Sequence, residues 1–188
     1  EMTPKEWKNG GYKEYSQKIL LQSQRASQSK ANFKDMVPTI VKMPAIESFY
    51  IRNKGYNVNI KETWQKLQTW ILTNDITSYK RIALFHDNPT ITPLNECQYI
   101  GCIMVEDKKS VKSDRLPNFK IADGVYAKFD LKGKTGDVLP FIHWVYHEWL
   151  PKSEYETTTK PSYAIYNKID FLDESNEFDL SFYVSINF

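Results

Sequence analysis

The pattern of apolar and polar residues changes at about residue 36. Over residues 17–34, Gln, Ser and Lys dominate and large apolar residues are few, which is typical of a linker. Near the N-terminus, Thr3 is a candidate helix N-cap, Pro4 suits the first helical turn and Glu6 supplies the acid of a capping box. We therefore expect a short helix and a partly helical linker over residues 1–35, followed by a globular domain.

The first half of the globular region predicts the order strand, helix, strand, strand. Loose alternation over residues 39–52 predicts a strand, which Pro44 interrupts and the turn Asn53-Lys54-Gly55 closes. Asn57 or Asn59 can cap an amphipathic helix, whose apolar positions at three- and four-residue spacing are Ile60, Trp64, Leu67, Ile71 and Leu72. The remaining elements are two strands and the Pro-containing loop between them, at residues 81–86, 98–106 and 87–97.

The second half repeats this order. Its elements are a strand, a helix and two strands, at residues 124–132, 137–149, 163–168 and 178–188. The turn residues repeat as well, because Lys132-Gly133 matches Lys54-Gly55. A duplication of about 75 residues predicts pseudo-twofold symmetry, and ligands commonly bind where two such halves meet. The expected fold class is α+β, with two fused strand-helix-strand-strand modules at about residues 37–107 and 117–188.

Charge and cysteine content restrict the class of function. The 188 residues include 25 basic and 23 acidic side chains, and the formal net charge of +2 gives no strong field to attract nucleic acid or a membrane surface. No apolar run approaches the roughly 20 residues of a membrane-spanning helix, and no signal-peptide pattern is present, so we expect a cytoplasmic protein. Cys97 and Cys102 lie too far apart to bridge if they share one extended strand, and two unpaired thiols fit a reducing compartment.

The aromatic content gives a first indication of a binding site. Aromatic residues make up 14% of the chain, and such side chains form the walls of small-molecule pockets as well as hydrophobic cores. For the helix tryptophans, which include Trp64 and Trp144, the spacing alone favours the core. Both interpretations therefore stay open.

Several short runs are similar to one known family. They are Tyr50-Ile51-Arg52-Asn53-Lys54-Gly55, Glu62-Thr63-Trp64, Phe85-His86-Asp87-Asn88-Pro89, Thr92-Pro93, Gly124-Val125-Tyr126-Ala127 and Glu148-Trp149-Leu150-Pro151. On these runs, residues 36–188 resemble the GyrI-like family, also called the effector-binding domain of AraC-type transcription regulators. The resemblance implies antiparallel sheets that form a curved platform, with two helices flanking an aromatic cleft. It also implies that residues 2–7 end an AraC-type DNA-binding domain, so that DNA is bound only through a helix-turn-helix domain outside this chain.

The resemblance further implies an effector-binding domain of a bacterial transcription regulator, with a small hydrophobic or aromatic molecule in the cleft. The candidate ligand-binding residues are Tyr56, Trp64, His86, Phe141, Trp144, Glu148, Tyr163 and Tyr166. At most one of Tyr163 and Tyr166 can face the cleft, because residues three apart on a strand point to opposite sides. Many family members carry a pocket acid at the position that we align with Ala164. Its absence here favours a neutral or anionic ligand over an organic cation.

Alternative functions rest on weaker signals. His143 and His147 have the helical spacing of two zinc ligands, but no third ligand is evident, so neither a metal nor a cofactor is predicted. Some GyrI-like proteins act by binding an enzyme, and the acidic loop over residues 170–177 is a candidate contact. Others resemble hydrolases, for which Glu148 is the obvious substitute acid. We expect a protein that is not an enzyme, and the oligomeric state stays open.

Overall fold

The computed structural model describes residues 2–56, 59–107, 111–112, 115–172 and 174–187. The helices are α1 Pro4–Glu6, α2 Tyr12–Leu21, α3 Gln24–Ser27, α4 Asn59–Thr73 and α5 Val138–Trp144. The strands are β1 Thr39–Met43, β2 Ile46–Lys54, β3 Tyr79–Phe85, β4 Gln98–Val105, β5 Asn118–Ile121, β6 Gly124–Lys134, β7 Glu156–Thr157, β8 Ser162–Lys168 and β9 Glu177–Asn187.

The described strands form one antiparallel sheet in the order β1-β6-β9-β8-β3-β4-β2-β5, with the short β7 paired to β9. The order is symmetric about the β8–β3 pair, where Ala83 lies opposite Ala164. On one side follow β4, β2 and β5, and on the other β9, β6 and β1. This arrangement confirms the predicted α+β class with two related halves.

The sheet curls because two pairs of consecutive strands lie at its opposite ends. Only Pro44 and Ala45 separate β1 from β2, and only Ala122 and Asp123 separate β5 from β6, yet in each pair one strand is at one edge and the other is near the far edge. Such short connections are possible only if the two ends of the sheet approach each other, as in a half-barrel. Each half therefore receives its outermost strand from the other half.

The predicted interruption at Pro44 is confirmed, and it separates two strands that have different partners. β1 pairs with β6 of the second half, whereas β2 pairs with β4 and β5. The physical reason is Pro44, which has no N–H group to donate to a sheet ladder and so ends one strand before the next begins. Strand β5, which the sequence pattern did not predict, is the counterpart of β1.

The two faces of the sheet carry separate apolar clusters. On one face α4 and α5 pack against residues such as Ala83, Phe85 and Phe182. The other face buries a second cluster, which contains Tyr126 and Tyr163 and consists of strand residues alone. Since no described helix belongs to the second cluster, we attribute its burial to the curl of the sheet.

Helix α4 buries one face against the sheet. Its predicted apolar positions Ile60, Trp64, Leu67 and Ile71 are buried, but Leu72 is 67% exposed and Trp70 takes the inward position. The helix lies so close to β4 that a Cβ atom on Gly101 would stand 2.9 Å from Leu67 Cδ1. Asn59 begins the helix, while the other predicted cap, Asn57, lies outside the described residues.

Helix α5 is shorter than the predicted helix over residues 137–149. Regular α-helix ends at Trp144, and the chain continues as a wider π-helical turn over Val145–Trp149 and a tight turn over Leu150–Lys152. Turns of the π type inside helices are frequent at functional sites. The part of the predicted helix that holds His147 and Glu148 is therefore the irregular part.

Residues 12–33 are packed structure, which corrects their interpretation as a linker. Ile19, Ala26 and Phe33 are buried, and the Ser16 hydroxyl donates a hydrogen bond to the Thr90 carbonyl oxygen. We call residues 12–33 the N-terminal strap. The capping box of Thr3 and Glu6 before it is confirmed, while the origin of residues 1–35 in a DNA-binding domain stays a prediction.

The strap bridges the two halves on the helix side of the sheet. The side chain of Gln22 accepts a hydrogen bond from the Leu94 amide in the loop of the first half. On the side of the second half, the Tyr12 ring of the strap lies 5.3 Å from the ring of His147, and the Phe33 ring of the strap lies 5.4 Å from that of Phe141.

None of the helices in the described part of the chain is long and apolar enough to cross a bilayer.

Candidate functional site

Aromatic rings form a continuous series between α4 and α5. Ring centroids lie 6.1 Å apart for Tyr56 and Phe85, 5.6 Å for Phe85 and Phe182, and 5.5 Å for Phe182 and Phe141. The series crosses the symmetric centre of the sheet, so it connects the two halves. We call the space that it fills the interhelical cleft.

Three hydroxyl groups lie inside this aromatic environment. Trp64 Nε1 donates a hydrogen bond of 2.9 Å to the Tyr99 hydroxyl, and the Tyr99 hydroxyl also interacts with that of Tyr166. The Tyr56 hydroxyl is buried and has no hydrogen-bond partner among the described residues. Burial raises the pKa of all three tyrosines, so the groups are neutral donors and acceptors at physiological pH.

Local backbone geometry places Tyr56 in the cleft. The turn before it needs a positive φ of 86° at Gly55, a conformation that glycine adopts without strain. The amides of Gly55 and Tyr56 then donate hydrogen bonds of 2.7 Å to the carbonyl oxygens of Cys97 and Leu94. The turn residues and the loop after β3 therefore fix the direction of the Tyr56 side chain together.

Asp170 lies in the turn after β8, which contacts α4. It is only 5% exposed, and its Oδ2 accepts a hydrogen bond of 2.6 Å from the Thr135 hydroxyl. The other oxygen, Oδ1, is buried without a partner in the described chain. Burial raises the pKa of Asp170, and the negative charge of Asp170 in turn adds to the raised pKa of Tyr99 and Tyr166.

A cavity of about 370 Å³ lies beside Asp170, and its size falls within the range of small-molecule pockets. It brings together α4, the strap and the segment after β8. The lining residues are Arg25, Lys61, Gln65, Thr135, Asp170, Phe171, Leu172, Glu174 and Asn176. The sequence pattern did not reveal this role of Asp170, because the residue begins a run of mainly polar residues that is typical of an acidic surface loop and carries no burial signal.

A second cavity, of about 620 Å³, lies beside the π-helical turn. Two of the predicted ligand-binding residues, Trp144 and Glu148, line it together with Trp149. The Glu148 carboxylate is exposed and accepts a hydrogen bond of 2.9 Å from Lys152, which lowers the pKa of Glu148. This groove therefore contains a paired, solvated acid, and its Trp144 ring stacks on Phe141 of the aromatic series, with ring centroids 6.1 Å apart.

The structure brings together only part of the predicted site. Tyr56, Trp64, Phe141 and Tyr166 belong to the cluster on the helix side of the sheet. Tyr163 belongs to the other face, where its ring stacks 4.6 Å from that of Tyr183. The prediction that it lines the cleft is wrong, for the reason that the three-residue separation from Tyr166 already indicated.

His86 is a further predicted residue that lies outside the cleft. Its side chain is 55% exposed, and its Nδ1 atom lies 3.6 Å from an oxygen of Asp87. An exposed imidazole of this kind does not form part of a closed pocket wall. His86 was predicted to bind the ligand because of its position at the end of a strand. That position does not determine how exposed a side chain is.

His143 of α5 and His147 of the π-helical turn lie side by side, with ring centroids 5.6 Å apart. The Nε2 atom of each is buried without a partner in the described chain. Burial lowers the pKa of His143 to about 4 and also lowers that of His147. Over the described residues no group of three or more His, Cys, Asp or Glu side chains is placed to hold a metal. Cys97 and Cys102 are both free and buried.

Comparison with known proteins gives this arrangement a family. A profile of the GyrI-like small molecule binding domain matches residues 36–186, which is most of the chain. The chain belongs to the GyrI-like family. A DNA gyrase inhibitor of Citrobacter koseri is 22% identical over 129 residues, which cover 68% of this chain and 82% of the inhibitor.

Solved structures of other proteins show the same fold. The C-terminal domain of EcmrR has a TM-score of 0.60 at 15% identity, and the match covers 81% of this chain and 98% of that domain. EcmrR in a complex with DNA has a TM-score of 0.63 at 12% identity, over 97% of this chain and 69% of the other. At these identities the likeness establishes the fold, and the chain is a GyrI-like binding domain of that fold.

Proposed function

We propose that this GyrI-like domain binds a small aromatic molecule in the interhelical cleft and acts as the effector-binding domain of a transcription regulator. The cleft lies where the two halves meet, which is a common position for ligand sites. Its walls are aromatic, and its few polar groups are buried hydroxyls and one carboxylate. Such a combination supplies apolar contact area together with a small number of orienting hydrogen bonds.

The observation that carries the proposal is the Tyr56 hydroxyl. A buried hydroxyl without a partner costs about 1–3 kcal/mol relative to one that is hydrogen-bonded. The Tyr99 hydroxyl, by contrast, has a partner in Trp64. A ligand that hydrogen-bonds to Tyr56 would remove this unfavourable energy, and rearrangement of the surrounding rings would make room for it.

In this proposal, the N-terminal strap transmits the effect of ligand binding to a DNA-binding domain. It contacts both halves of the fold, so a change in their relative position alters its packing. A ligand shifts such an equilibrium only as far as it binds the two states with different affinity. The match to EcmrR in a DNA complex supports this role, because it covers 97% of this chain. The assignment to an AraC-type regulator is part of the proposal.

Titration with a panel of aromatic probes tests the proposal. We expect a saturable change in tryptophan fluorescence and a rise in melting temperature for at least one probe. Tyr56→Phe should weaken that binding, because it removes the hydroxyl in the cleft. Tyr163→Phe is the matched control, since the Tyr163 hydroxyl is also buried and unpartnered in the described chain but lies on the other face of the sheet. Equal loss of binding in both variants would contradict the placement of the ligand.

The second candidate function is inhibition of another protein by direct contact. The observation in its favour is the similarity to a DNA gyrase inhibitor over 68% of this chain. This function requires no ligand in the cleft. If gyrase binds the protein and inhibition is the same for wild type and Tyr56→Phe, the second function is favoured over the first.

A further inference from the structure

We infer that Phe33, the last residue of the N-terminal strap, fills part of the ligand site in the ligand-free protein and is displaced when an aromatic ligand binds. The inference deepens the proposed function and rests on it, because Phe33 packs on Phe141 and Trp144, two of the predicted ligand-binding residues. Phe33 precedes residues 36–186, which match the family profile. The contact is therefore made by a segment outside the family domain.

The Phe33 ring packs against the aromatic series in the way that a ligand ring would. It is only 7% exposed, and its centroid lies 5.4 Å from that of Phe141 and 6.3 Å from that of Trp144. The angle of 73° between the Phe33 and Phe141 rings is the edge-to-face arrangement that aromatic pairs favour. Phe33 thus extends the series that fills the interhelical cleft, and an aromatic ligand can replace these contacts with contacts of the same kind.

The backbone of Phe33 makes it the ring that can leave most easily. Residues 28–38, between α3 and β1, contain no helix or strand in the described structure. The other aromatic residues buried in the same cluster all belong to helices or strands. They are Phe49, Trp64, Trp70, Phe85, Tyr99, Phe129, Phe141, Tyr166, Phe178 and Phe182. Local opening is easiest where no helix or sheet hydrogen bonds must break.

Removal of the Phe33 ring makes room in the cleft. The Phe141 ring then has space to turn towards the position that Phe33 has left. Because the Phe141 ring also lies 5.5 Å from that of Phe182, this movement opens the space beside Phe182, in the middle of the series. The rearrangement of rings that ligand binding requires therefore begins with the strap.

A hydrogen bond holds the same segment in place. The Ser29 hydroxyl donates a hydrogen bond of 2.6 Å to Oδ1 of Asp137, the residue just before α5. The segment therefore has a polar anchor at Ser29 and an apolar anchor at Phe33. If only the released state accepts the ligand, the apparent dissociation constant is the intrinsic constant divided by the fraction of molecules released. Weakening either anchor should then tighten ligand binding.

Calorimetric titration of the full chain with 2-naphthol, a neutral aromatic probe with one hydroxyl group, tests the inference. We expect Phe33→Ala to bind this probe at least about tenfold more tightly than the wild type. Ser29→Ala should bind it about 2- to 12-fold more tightly, which corresponds to the loss of one hydrogen bond. Circular dichroism and melting curves establish that the variants are folded.

Ser181→Ala is the matched control for Ser29→Ala. It also removes a hydrogen bond from a serine hydroxyl to an aspartate, in this case Asp130 on the neighbouring strand. We expect it to leave the affinity for 2-naphthol unchanged, because it does not touch the strap. Tighter binding in Phe33→Ala alone would mean that the truncation merely creates a cavity, and it would overturn the inference.

Hydrogen exchange in the wild type gives a readout that does not depend on a cavity. Bound 2-naphthol should make the amides of residues 28–36 exchange faster, because the segment is released, while those of β8 at the centre of the sheet are not exposed. Slower or unchanged exchange over residues 28–36 would overturn the inference, since the ligand would then bind to a strap that stays in place. Binding of 2-naphthol to neither the wild type nor Phe33→Ala would overturn it as well.

The outcomes separate this inference from the proposed function. If Tyr56→Phe weakens binding but Phe33→Ala and Ser29→Ala leave it unchanged, the cleft is the site and the inference fails alone. If both strap variants bind more tightly but Tyr56→Phe has no effect, Phe33 is displaced as inferred, and the contact between the ligand and Tyr56 is contradicted.

Discussion

Replacing Tyr56 with Phe removes one buried hydroxyl and leaves the aromatic ring in place. In the ligand-free protein this hydroxyl has no hydrogen-bond partner among the described residues, so its removal ends a desolvation penalty of about 1–3 kcal/mol. We therefore expect the variant to be more stable than the wild type. For a chain of this size, about 1 kcal/mol corresponds to a rise in melting temperature of about 2–4 °C.

Two further variants serve as references for the expected increase in stability. Tyr163→Phe removes another hydroxyl that has no partner among the described residues, on the other face of the sheet, and should raise the stability by a similar amount. Tyr99→Phe should lower it by about 1–3 kcal/mol, because Trp64 Nε1 then loses the acceptor of its hydrogen bond and stays buried. Urea unfolding followed by fluorescence and circular dichroism gives the free energies of unfolding of all three variants.

The expected result is opposite in sign for stability and for binding. Tyr56→Phe should gain stability and lose ligand affinity, by about 2- to 12-fold for one neutral hydrogen bond. A decrease in stability, similar to that of Tyr99→Phe, would refute the reasoning. It would show that Tyr56 makes a hydrogen bond in the ligand-free protein and is a structural residue.

The remaining predictions concern packing, the strap and pH. Gly101→Ala should lower the free energy of unfolding by about 1–3 kcal/mol, since its Cβ atom would lie 2.9 Å from Leu67 Cδ1; an unchanged urea midpoint would contradict this. Ser16→Ala removes the hydrogen bond to the Thr90 carbonyl oxygen, so α2 should exchange its amide hydrogens faster while the sheet does not; equal protection of α2 in both proteins would argue against the packed strap. Burial lowers the pKa of His143 to about 4, below the unfolded value of about 6.5, so the neutral form stabilises the fold above pH 6.5 and stability is lost as the pH falls towards 4. His143→Gln should lose less stability over that interval, and identical pH curves would contradict the burial of a neutral imidazole.

The order of elements could be predicted because it depends on local signals. Periodicity of two or about four residues and the turn at Gly55 determine strands and helices within short windows. The partners of a strand depend instead on distant residues. Nothing in the alternation of residues 39–52 shows that β1 pairs with β6 of the other half, although Pro44 marks the point of change.

The candidate site also depends partly on local sequence signals and partly on distant residues. Tyr56, Trp64, Phe141 and Tyr166 were listed as candidates with the family resemblance, and they belong to one cluster on the helix side of the sheet, while their role in ligand binding stays a prediction. Asp170 was missed, since Thr135, its hydrogen-bond partner, and α4, which contacts its turn, are distant in the sequence. Buried polar atoms that depend on tertiary packing leave little trace in a local pattern.

A structure of the protein with a bound aromatic probe would decide most directly whether the interhelical cleft is the ligand site. We predict that the probe lies between α4 and α5, with a hydrogen bond to the Tyr56 hydroxyl. A probe bound only in the groove beside Trp144 and Trp149, with the interhelical cleft unchanged, would contradict this placement.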